Sequence, residues 1–219
     1  GIDGLVKHCR AGDSILLTPN HSDHADPHVM LHLARRFKIP LHFIAAREIF
    51  LANHGLNGKV LQRAGVFSID REGTDLRSIK EAMRIVAEGR FPLVMFPEGE
   101  IYHLNEQLTP INEGAATIAL RTARKLAKAG TGRRVLIFPS AIRYTYIDDI
   151  TGAFPAAMDA LERKILWKPQ SHLSIVERIY KFGEAVLALK EKEYLDCTQS
   201  GDLCERLDSL RERLIAGIE

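Results

Sequence analysis

Short apolar segments alternate with amphipathic helical segments along the first two thirds of the chain, and this alternation constrains the fold most strongly. Five segments have the composition of strands, and each ends at a turn or a polar cluster. These segments are residues 14–18, 41–46, 66–69, 93–96 and 135–138. Because alternating strands and helices build βαβ units, the sequence predicts an α/β fold. Its central sheet is expected to be largely parallel or mixed, with helices on its flanks.

Helical patterns connect the predicted strands and occupy the C-terminal part of the chain. The clearest pattern begins at Thr74, a candidate N-cap, and ends at Gly89, a residue type that often terminates helices. Further helices are predicted at 112–128, 155–166, 172–190 and 202–218. No repeat or low-complexity tract separates these parts. We therefore predict one domain over residues 1–219, with a motif-bearing core of about 1–145 and a helical C-terminal part of about 155–219.

The composition is that of an ordinary globular protein, with 46% hydrophobic and 26% charged residues. A formal net charge of +2 argues against general nucleic-acid binding. The three cysteines form no CxxC pair, which favours a reducing compartment. No apolar run approaches the roughly 20 residues that a membrane-spanning helix needs, and no signal-peptide pattern opens the sequence. A cytoplasmic location is therefore expected.

Polar clusters follow four of the predicted strands, and they are the candidates for a functional site. They lie at residues 20–26, 47–48, 70–71 and 97–99. Open α/β sheets bind ligands beyond the carboxyl ends of their strands. If the strands are parallel, His21, Arg71 and Glu98 should therefore converge on one pocket.

The first cluster has the residues of a general base. Asp26 followed by Pro27 predicts a helix start with Asp26 as N-cap, which leaves His21 in the preceding loop. One Asp26 oxygen could then accept from an imidazole nitrogen while the other accepts from a backbone N–H. The opposite ring nitrogen would keep a lone pair that can take a proton from a hydroxyl. A surface histidine beside a helix cap is the alternative.

A metal site is the other interpretation of this cluster. His21, His24, His28 and His32 recur at spacings of three and four residues. The predicted helix start at Pro27 places His24 outside the helix, and the metallohydrolase pattern His-x-His-x-Asp-His is not present. We therefore expect no metal, and keep a metal-dependent hydrolase using His21, His24 and His28 as an alternative class.

The remaining clusters suggest anion binding and a tight turn. Arg71, just past a predicted strand, is placed to bind a phosphate through paired hydrogen bonds, and an ordinary surface turn is the alternative. Pro97 ends the next strand and Gly99 permits a tight turn, which leaves Glu98 projecting. A structural carboxylate is the alternative for Glu98.

Together these segments resemble the four motif blocks of the glycerolipid acyltransferases, the family of lysophosphatidic acid and glycerol-3-phosphate acyltransferases. The blocks are NHSDHAD at 20–26, GVFSIDR at 65–71, FPEG at 96–99 and IFPS at 137–140, and residues 46–50 are also similar to this family. The resemblance spans roughly residues 1–145. It implies that His21 is the catalytic base and that Asp26 orients it. It also implies substrate binding by Asn20, Arg47, Arg71, Glu98 and Gly99, with Arg71 on the acceptor phosphate.

The implied reaction transfers a fatty acyl group from an acyl thioester, on coenzyme A or acyl carrier protein, to a glycerol-phosphate lipid in phospholipid synthesis. The expected acceptor is 1-acyl-sn-glycerol-3-phosphate; glycerol-3-phosphate or an unphosphorylated acceptor is the alternative. No Gly-x-Ser-x-Gly elbow is present, which agrees with a reaction that has no covalent intermediate and no cofactor beyond the co-substrate. Besides the acyltransferase and the metal-dependent hydrolase, the third functional class is a lipid-binding or scaffolding protein that keeps the fold but catalyses no reaction.

The chain departs from the family pattern after Gly99. Glu100 and Ile101 stand where the family commonly has Thr and Arg. Either Arg47, His103 or Arg143 then supplies the second phosphate contact, or the acceptor is not the standard lysophosphatidic acid. Membrane contact at the inner face of the cell membrane is also expected, because the lipid product partitions into bilayers. The candidate docking residues are Phe37, Ile39, Ile49, Phe50 and Leu51, with Arg35, Arg36 and Lys38 nearby. Core burial is the alternative for the apolar ones.

Overall fold

The computed structural model describes residues 2–51, 56–70, 75–105 and 107–217. The chain divides into two compact units, Gly1–Tyr144 and Thr145–Glu219. The boundary between the units is close to the boundary predicted between the motif-bearing core and the helical C-terminal part. That the two units belong to one domain stays a prediction.

The first unit alternates strands and helices, as predicted. Its strands are β1 (Ser14–Pro19), β2 (His42–Ala46), β3 (Val66–Ile69), β4 (Leu93–Val94) and β5 (Val135–Ser140). Its helices are α1 (Ile2–Arg10), α2 (Asp26–Phe37), α3 (Arg47–Leu51), α4 (Leu56–Arg63), α5 (Leu76–Glu88) and α6 (Gly114–Lys128). β4 is shorter than expected because the chain leaves the sheet for the turn that contains Pro97 and Gly99.

The five strands form one sheet in the order β3-β2-β4-β1-β5, and every pair in it is parallel. The α/β class with flanking helices is confirmed, and the sheet is fully parallel rather than mixed. All strand ends that carry the polar clusters therefore lie at the same edge. β1 and β4 are neighbours, with Leu16 beside Leu93 and Leu17 beside Val94.

Helices cover both faces of the sheet because β1 is apolar on both sides. Successive side chains of a strand point to opposite faces. Ile15 and Leu17 pack with Leu5 of α1 and Met30 of α2 on one face. The other face packs Leu16 against α5 and α6 through Ala82, Ile85, Val86, Ala115, Ile118 and Ala119.

The N-cap of α5 is Asp75 rather than the predicted Thr74, which lies outside the described residues. The Asp75 carboxylate accepts from the Ser78 backbone N–H at 2.9 Å and from the Ser78 hydroxyl at 2.6 Å. The predicted end is confirmed: Gly89 has a φ of +60° and donates its N–H to the Ile85 carbonyl.

The second unit is helical, as expected. It contains a short 3₁₀ turn (Thr151–Ala153) followed by α7 (Phe154–Ile165), α8 (Ile175–Leu195) and α9 (Leu203–Ala216). Two buried carboxylates connect these helices. Glu162 of α7 accepts from Arg178 of α8 at 2.8 and 2.9 Å, and the hydrogen bond from this guanidinium lowers the pKa of Glu162. Glu191 of α8 accepts from Arg206 of α9 at 2.7 and 3.0 Å.

Over the described residues, no helix combines the length and the apolar character that crossing a membrane requires.

Candidate active site

The loop after β1 is held in place by Asn20. The Asn20 side chain exchanges two hydrogen bonds with the backbone of Ile142: it accepts from the N–H at 2.6 Å and donates to the carbonyl at 3.0 Å. It also donates to the Ser22 hydroxyl at 2.7 Å. Asn20 therefore joins the His21 loop to the segment that follows β5.

His21 and Asp26 form the predicted pair. The His21 Nδ1 atom lies 2.9 Å from Asp26 Oδ2, and the Asp26 side chain is completely buried. Because an ionised carboxylate only accepts hydrogen bonds, this contact places the proton on Nδ1. The lone pair then lies on Nε2, the nitrogen that a general base uses. The His21 ring is 15% exposed, so it remains open to a substrate.

The prediction that Asp26 is the N-cap of α2 is wrong. The N-cap of α2 is Ala25, whose side chain makes no cap, and Asp26 is the first helical residue. Asp26 Oδ2 accepts from both His21 and the Asp23 N–H, the latter at 2.9 Å, so the two expected bonds share one oxygen. The Asp26 carboxylate therefore accepts hydrogen bonds from the preceding loop instead of capping the N-terminus of α2. Its negative charge still lies in the first turn of α2, where the helix dipole stabilises it.

Phe96 fixes the plane of the His21 ring. The two rings are stacked, with centroids 4.1 Å apart and planes 20° from parallel. Phe96 itself packs against the core cluster on one face of the sheet. The imidazole is therefore held by a hydrogen bond at one edge and by an aromatic surface on one side.

Glu98 connects the end of β4 to the His21 loop. One carboxylate oxygen accepts the His21 backbone N–H at 2.7 Å, and the other accepts from the Thr109 N–H at 3.3 Å and from the Thr109 hydroxyl. The side chain is buried. Gly99 follows at a φ of +78°, and a Cβ there would lie 2.7 Å from the Asn112 amide nitrogen. Of the three residues predicted to converge on one pocket, Glu98 contacts the His21 backbone directly, and Arg71 lies outside the described residues.

The cationic candidates lie at the ends of β2 and β3. Arg47 begins α3 and forms an exposed ion pair with Asp70 at 3.2 Å. It also lines a cavity of about 1300 Å³ together with Asp75, Arg77, Lys80 and Arg84. Arg71 lies outside the described residues, so its predicted contact with a phosphate stays a prediction.

Tyr144 is a site residue that the sequence did not reveal. Its hydroxyl donates to Asp26 Oδ1 at 2.6 Å, across 118 residues of sequence. Burial raises the pKa of Tyr144, and the hydrogen bond to the Asp26 carboxylate raises it further, so the phenol is neutral. No local spacing or periodicity could have indicated this contact. The nearest signal is the block at 137–140, which ends four residues earlier.

An apolar cavity of about 760 Å³ lies beside this loop. Asn20 and Pro97, the chain neighbours of His21 and Glu98, are part of its wall. Most of the remaining wall is apolar and comes from β5, the residues after it, α6 and the segment before α6: Leu108, Ile111, Ala115, Ala116, Ile137, Pro139, Ala141 and Ile142. The cavity has the character of a site for an apolar ligand with one polar end.

Among the histidines that the structure describes, none joins His21 in a metal-binding cluster. His24 and His28 are exposed, and the ring of His24 lies beside that of His103, with centroids 5.8 Å apart. Within residues 2–51, 56–70, 75–105 and 107–217, no three His, Cys, Asp or Glu side chains are grouped as metal ligands. The histidine spacing therefore reflects one catalytic candidate and several surface positions.

The proposed membrane-docking residues do not form one exposed group. Phe50 is buried, and Ile39 packs against the core. Ile49 and Leu51 of α3 are exposed to 51% and 64%. Phe50 and Ile39 therefore follow the core-burial interpretation, whereas Ile49 and Leu51 are accessible for membrane docking.

Comparison with models of protein families identifies a match. The family model described as Acyltransferase matches residues 6–143. That range contains all four motif blocks and both members of the His21 and Asp26 pair, and it ends one residue before Tyr144. No significant match was found among curated proteins or among solved structures.

Proposed function

Since the chain belongs to the Acyltransferase family, the family of the glycerolipid acyltransferases, we propose that it transfers a fatty acyl group to a glycerol-phosphate lipid. The proposed donor is an acyl thioester of coenzyme A or acyl carrier protein. The proposed acceptor is the free hydroxyl of 1-acyl-sn-glycerol-3-phosphate, in phospholipid synthesis. The observation that carries this proposal is the 2.9 Å contact between His21 and a buried Asp26, next to an apolar cavity.

In the proposed mechanism, His21 acts first as a base and then as an acid. Nε2 removes the proton of the acceptor hydroxyl while the oxygen attacks the thioester carbonyl carbon. The carbon–sulfur bond then breaks, and the imidazolium returns the proton to the departing thiolate. Asp26 stabilises the imidazolium and keeps Nδ1 as the donor. General acid–base assistance of this kind is worth about 10²- to 10⁴-fold in rate.

The apolar cavity supports a lipid substrate. Transferring an acyl chain from water into such a cavity contributes about 0.8 kcal/mol for each CH₂ group that is buried. Ile137 and Leu108 line the cavity and are both partly exposed, at 45% and 61%. A bound chain would cover this apolar surface and bring its carbonyl end towards Asn20, the neighbour of His21.

For the acceptor, we propose that Arg47 and Arg71 bind the phosphate through charge-assisted hydrogen bonds. Glu98 and Gly99 would shape the acceptor site, and Asn20 would hold the His21 loop at the entrance of that site. Because Glu100 and Ile101 replace the usual Thr and Arg, glycerol-3-phosphate and an unphosphorylated glycerol remain the alternative acceptors.

We also propose that the protein works at a membrane surface, on its inner face. The exposed Ile49 and Leu51 on α3, and the exposed cations Arg35 and Arg36 on α2, are suited to a bilayer with anionic lipids.

A thiol-release assay tests the reaction. Purified protein is given an acyl thioester and, in turn, 1-acyl-sn-glycerol-3-phosphate, glycerol-3-phosphate or an unphosphorylated glycerol. We expect thiol release that depends on the acceptor. His21→Ala should lower it by about 10²-fold or more, while His32→Ala, an exposed histidine on α2, should leave it unchanged. Near-normal turnover in His21→Ala would contradict the mechanism, and release that is independent of every acceptor would point to a thioesterase.

A further inference from the structure

The Asp26 carboxylate accepts hydrogen bonds on both of its oxygens, from the Asp23 N–H and from two side chains. Oδ2 accepts from the His21 ring at 2.9 Å, and Oδ1 accepts from the Tyr144 hydroxyl at 2.6 Å. Asp26 is completely buried, so an oxygen that lost its donor would have no water to replace it. We infer that Tyr144 is a positioning residue for catalysis: it holds the Asp26 carboxylate in the orientation that keeps the His21 base aligned. This inference rests on the proposed function.

Tyr144 is itself held at both sides of its backbone. Its N–H donates to the Asn105 side-chain oxygen at 2.7 Å, and its carbonyl accepts from the Asn105 amide at 2.6 Å. Ile142, two residues before Tyr144, is held by the same kind of reciprocal pair of hydrogen bonds with the Asn20 side chain. Two asparagine side chains therefore fix the segment after β5, and the Tyr144 ring extends from this fixed segment to Asp26.

The position of Tyr144 separates it from the motifs of the family. It lies one residue beyond the range that the family model matches, and 118 residues from Asp26. The contact depends on the path of the chain after β5, which brings Tyr144 to Asp26 of the first block.

The hydroxyl acts on the reaction through charge as well as orientation. As a neutral phenol, Tyr144 donates a hydrogen bond that disperses the negative charge of Asp26 away from His21. Without the Tyr144 hydroxyl, Asp26 Oδ1 loses this hydrogen bond, and the carboxylate is free to turn away from the His21 ring.

The test is the variant Tyr144→Phe, which keeps the ring and removes the hydroxyl. The matched control is Tyr146→Phe, whose side chain is 81% exposed two residues further on. In the thiol-release assay we expect Tyr144→Phe to lower kcat by about tenfold, the effect of one hydrogen bond to a charged group. KM should stay within about twofold of the wild-type value. Tyr146→Phe should behave as wild type in each respect.

A second measurement does not depend on turnover. In the NMR spectrum of ¹⁵N-histidine-labelled protein, the Nδ1–H signal of His21 is assigned by its loss in His21→Ala. We expect Tyr144→Phe to shift this signal and Tyr146→Phe to leave it in place. If the wild type lacks thiol release but the signal shifts, the proposed reaction fails while the positioning contact stands. An unshifted signal together with an unchanged kcat would overturn the inference. So would a loss of activity that only follows the fraction of unfolded protein.

Discussion

The carboxyl edge of the sheet carries two different kinds of polar surface. At the ends of β1 and β4, Asp26 and Glu98 are buried, and each of their oxygens accepts a hydrogen bond from the protein. At the ends of β2 and β3, Arg47 and Asp70 form an ion pair with side chains that are 61% and 38% exposed. The two regions belong to the same sheet and lie on adjacent strands.

The difference shows how one sheet edge can serve two tasks. A buried polar group must find its partners inside the protein, so the partners fix its geometry closely. That suits a base whose nitrogen has to meet a reacting hydroxyl. An exposed ion pair contributes only about 0 to 1 kcal/mol to stability, so its members can change partners at little cost. That suits the capture of an anionic group that arrives from solution.

The largest expected difference between the two regions is in stability. Glu98→Ala removes the acceptor for the His21 N–H and for Thr109, and leaves these donors in a buried site. We expect a decrease of about 3 kcal/mol in the free energy of unfolding, measured by urea denaturation. Arg47→Ala, the matched variant from the exposed region, should change it by less than about 1 kcal/mol.

The conservative variant Glu98→Gln refines this comparison. The amide keeps one oxygen as an acceptor and turns an NH₂ group towards the other donor, so its effect on the free energy of unfolding should lie between those of wild type and Glu98→Ala. Equal destabilisation by Glu98→Ala and Arg47→Ala would remove the distinction between the two regions.

A smaller effect, on substrate binding, is expected from Arg47. Arg47→Ala should raise the KM for a phosphorylated acceptor by about tenfold, which corresponds to the loss of roughly one charge-assisted hydrogen bond. The KM for the acyl thioester and kcat should change little, and the effect should shrink as the salt concentration rises. Arg121→Ala, which removes an exposed cation on α6, is the control for net charge. An equal change in KM for both substrates would assign Arg47 a structural role.

The elements that the sequence predicted correctly depend on local patterns. All five strands follow from short apolar runs bounded by polar clusters, and the end of α5 follows from Gly89. The pairing of His21 with Asp26 was also predictable, because five residues of loop before a Pro27 helix start allow the chain to fold back. In each case the signal lies within one turn or one strand.

The features that could not be predicted depend on long-range contacts. Tyr144 reaches Asp26 across 118 residues, and Asn20 reaches Ile142 across 122. The N-cap role expected for Asp26 failed for the same reason. Asp before Pro is a normal capping signal, but the tertiary structure offered this carboxylate the His21 ring and the Tyr144 hydroxyl instead. A local pattern fixes which groups are available, and packing decides which of them meet.

The smallest expected effect is on the stability that Asp75 contributes. Asp75 lines the same cavity as Arg47, and its carboxylate accepts hydrogen bonds from Ser78. The hydrogen bonds from Ser78 lower the pKa of Asp75 to about 2, from a usual value of 3.8. As the pH falls, the unfolded chain therefore binds this proton before the folded protein does. The stabilisation from the ionised carboxylate is complete above 3.8 and is lost as the pH falls to about 2. At neutral pH, Asp75→Ala should lower the free energy of unfolding by about 1 kcal/mol, as the loss of an N-cap does.

The pH dependence separates the cap from its charge. Asp75→Asn keeps an oxygen that can accept the Ser78 N–H but cannot titrate, so its stability should not respond to this proton. Urea denaturation of the wild type, Asp75→Asn and Asp75→Ala at pH 7 and at pH 2.5 measures both contributions. We expect the gap between wild type and Asp75→Asn to narrow at the lower pH. A gap that stays constant would mean that the charge of Asp75 adds nothing to the cap, and that this exposed region is held by neutral hydrogen bonds alone.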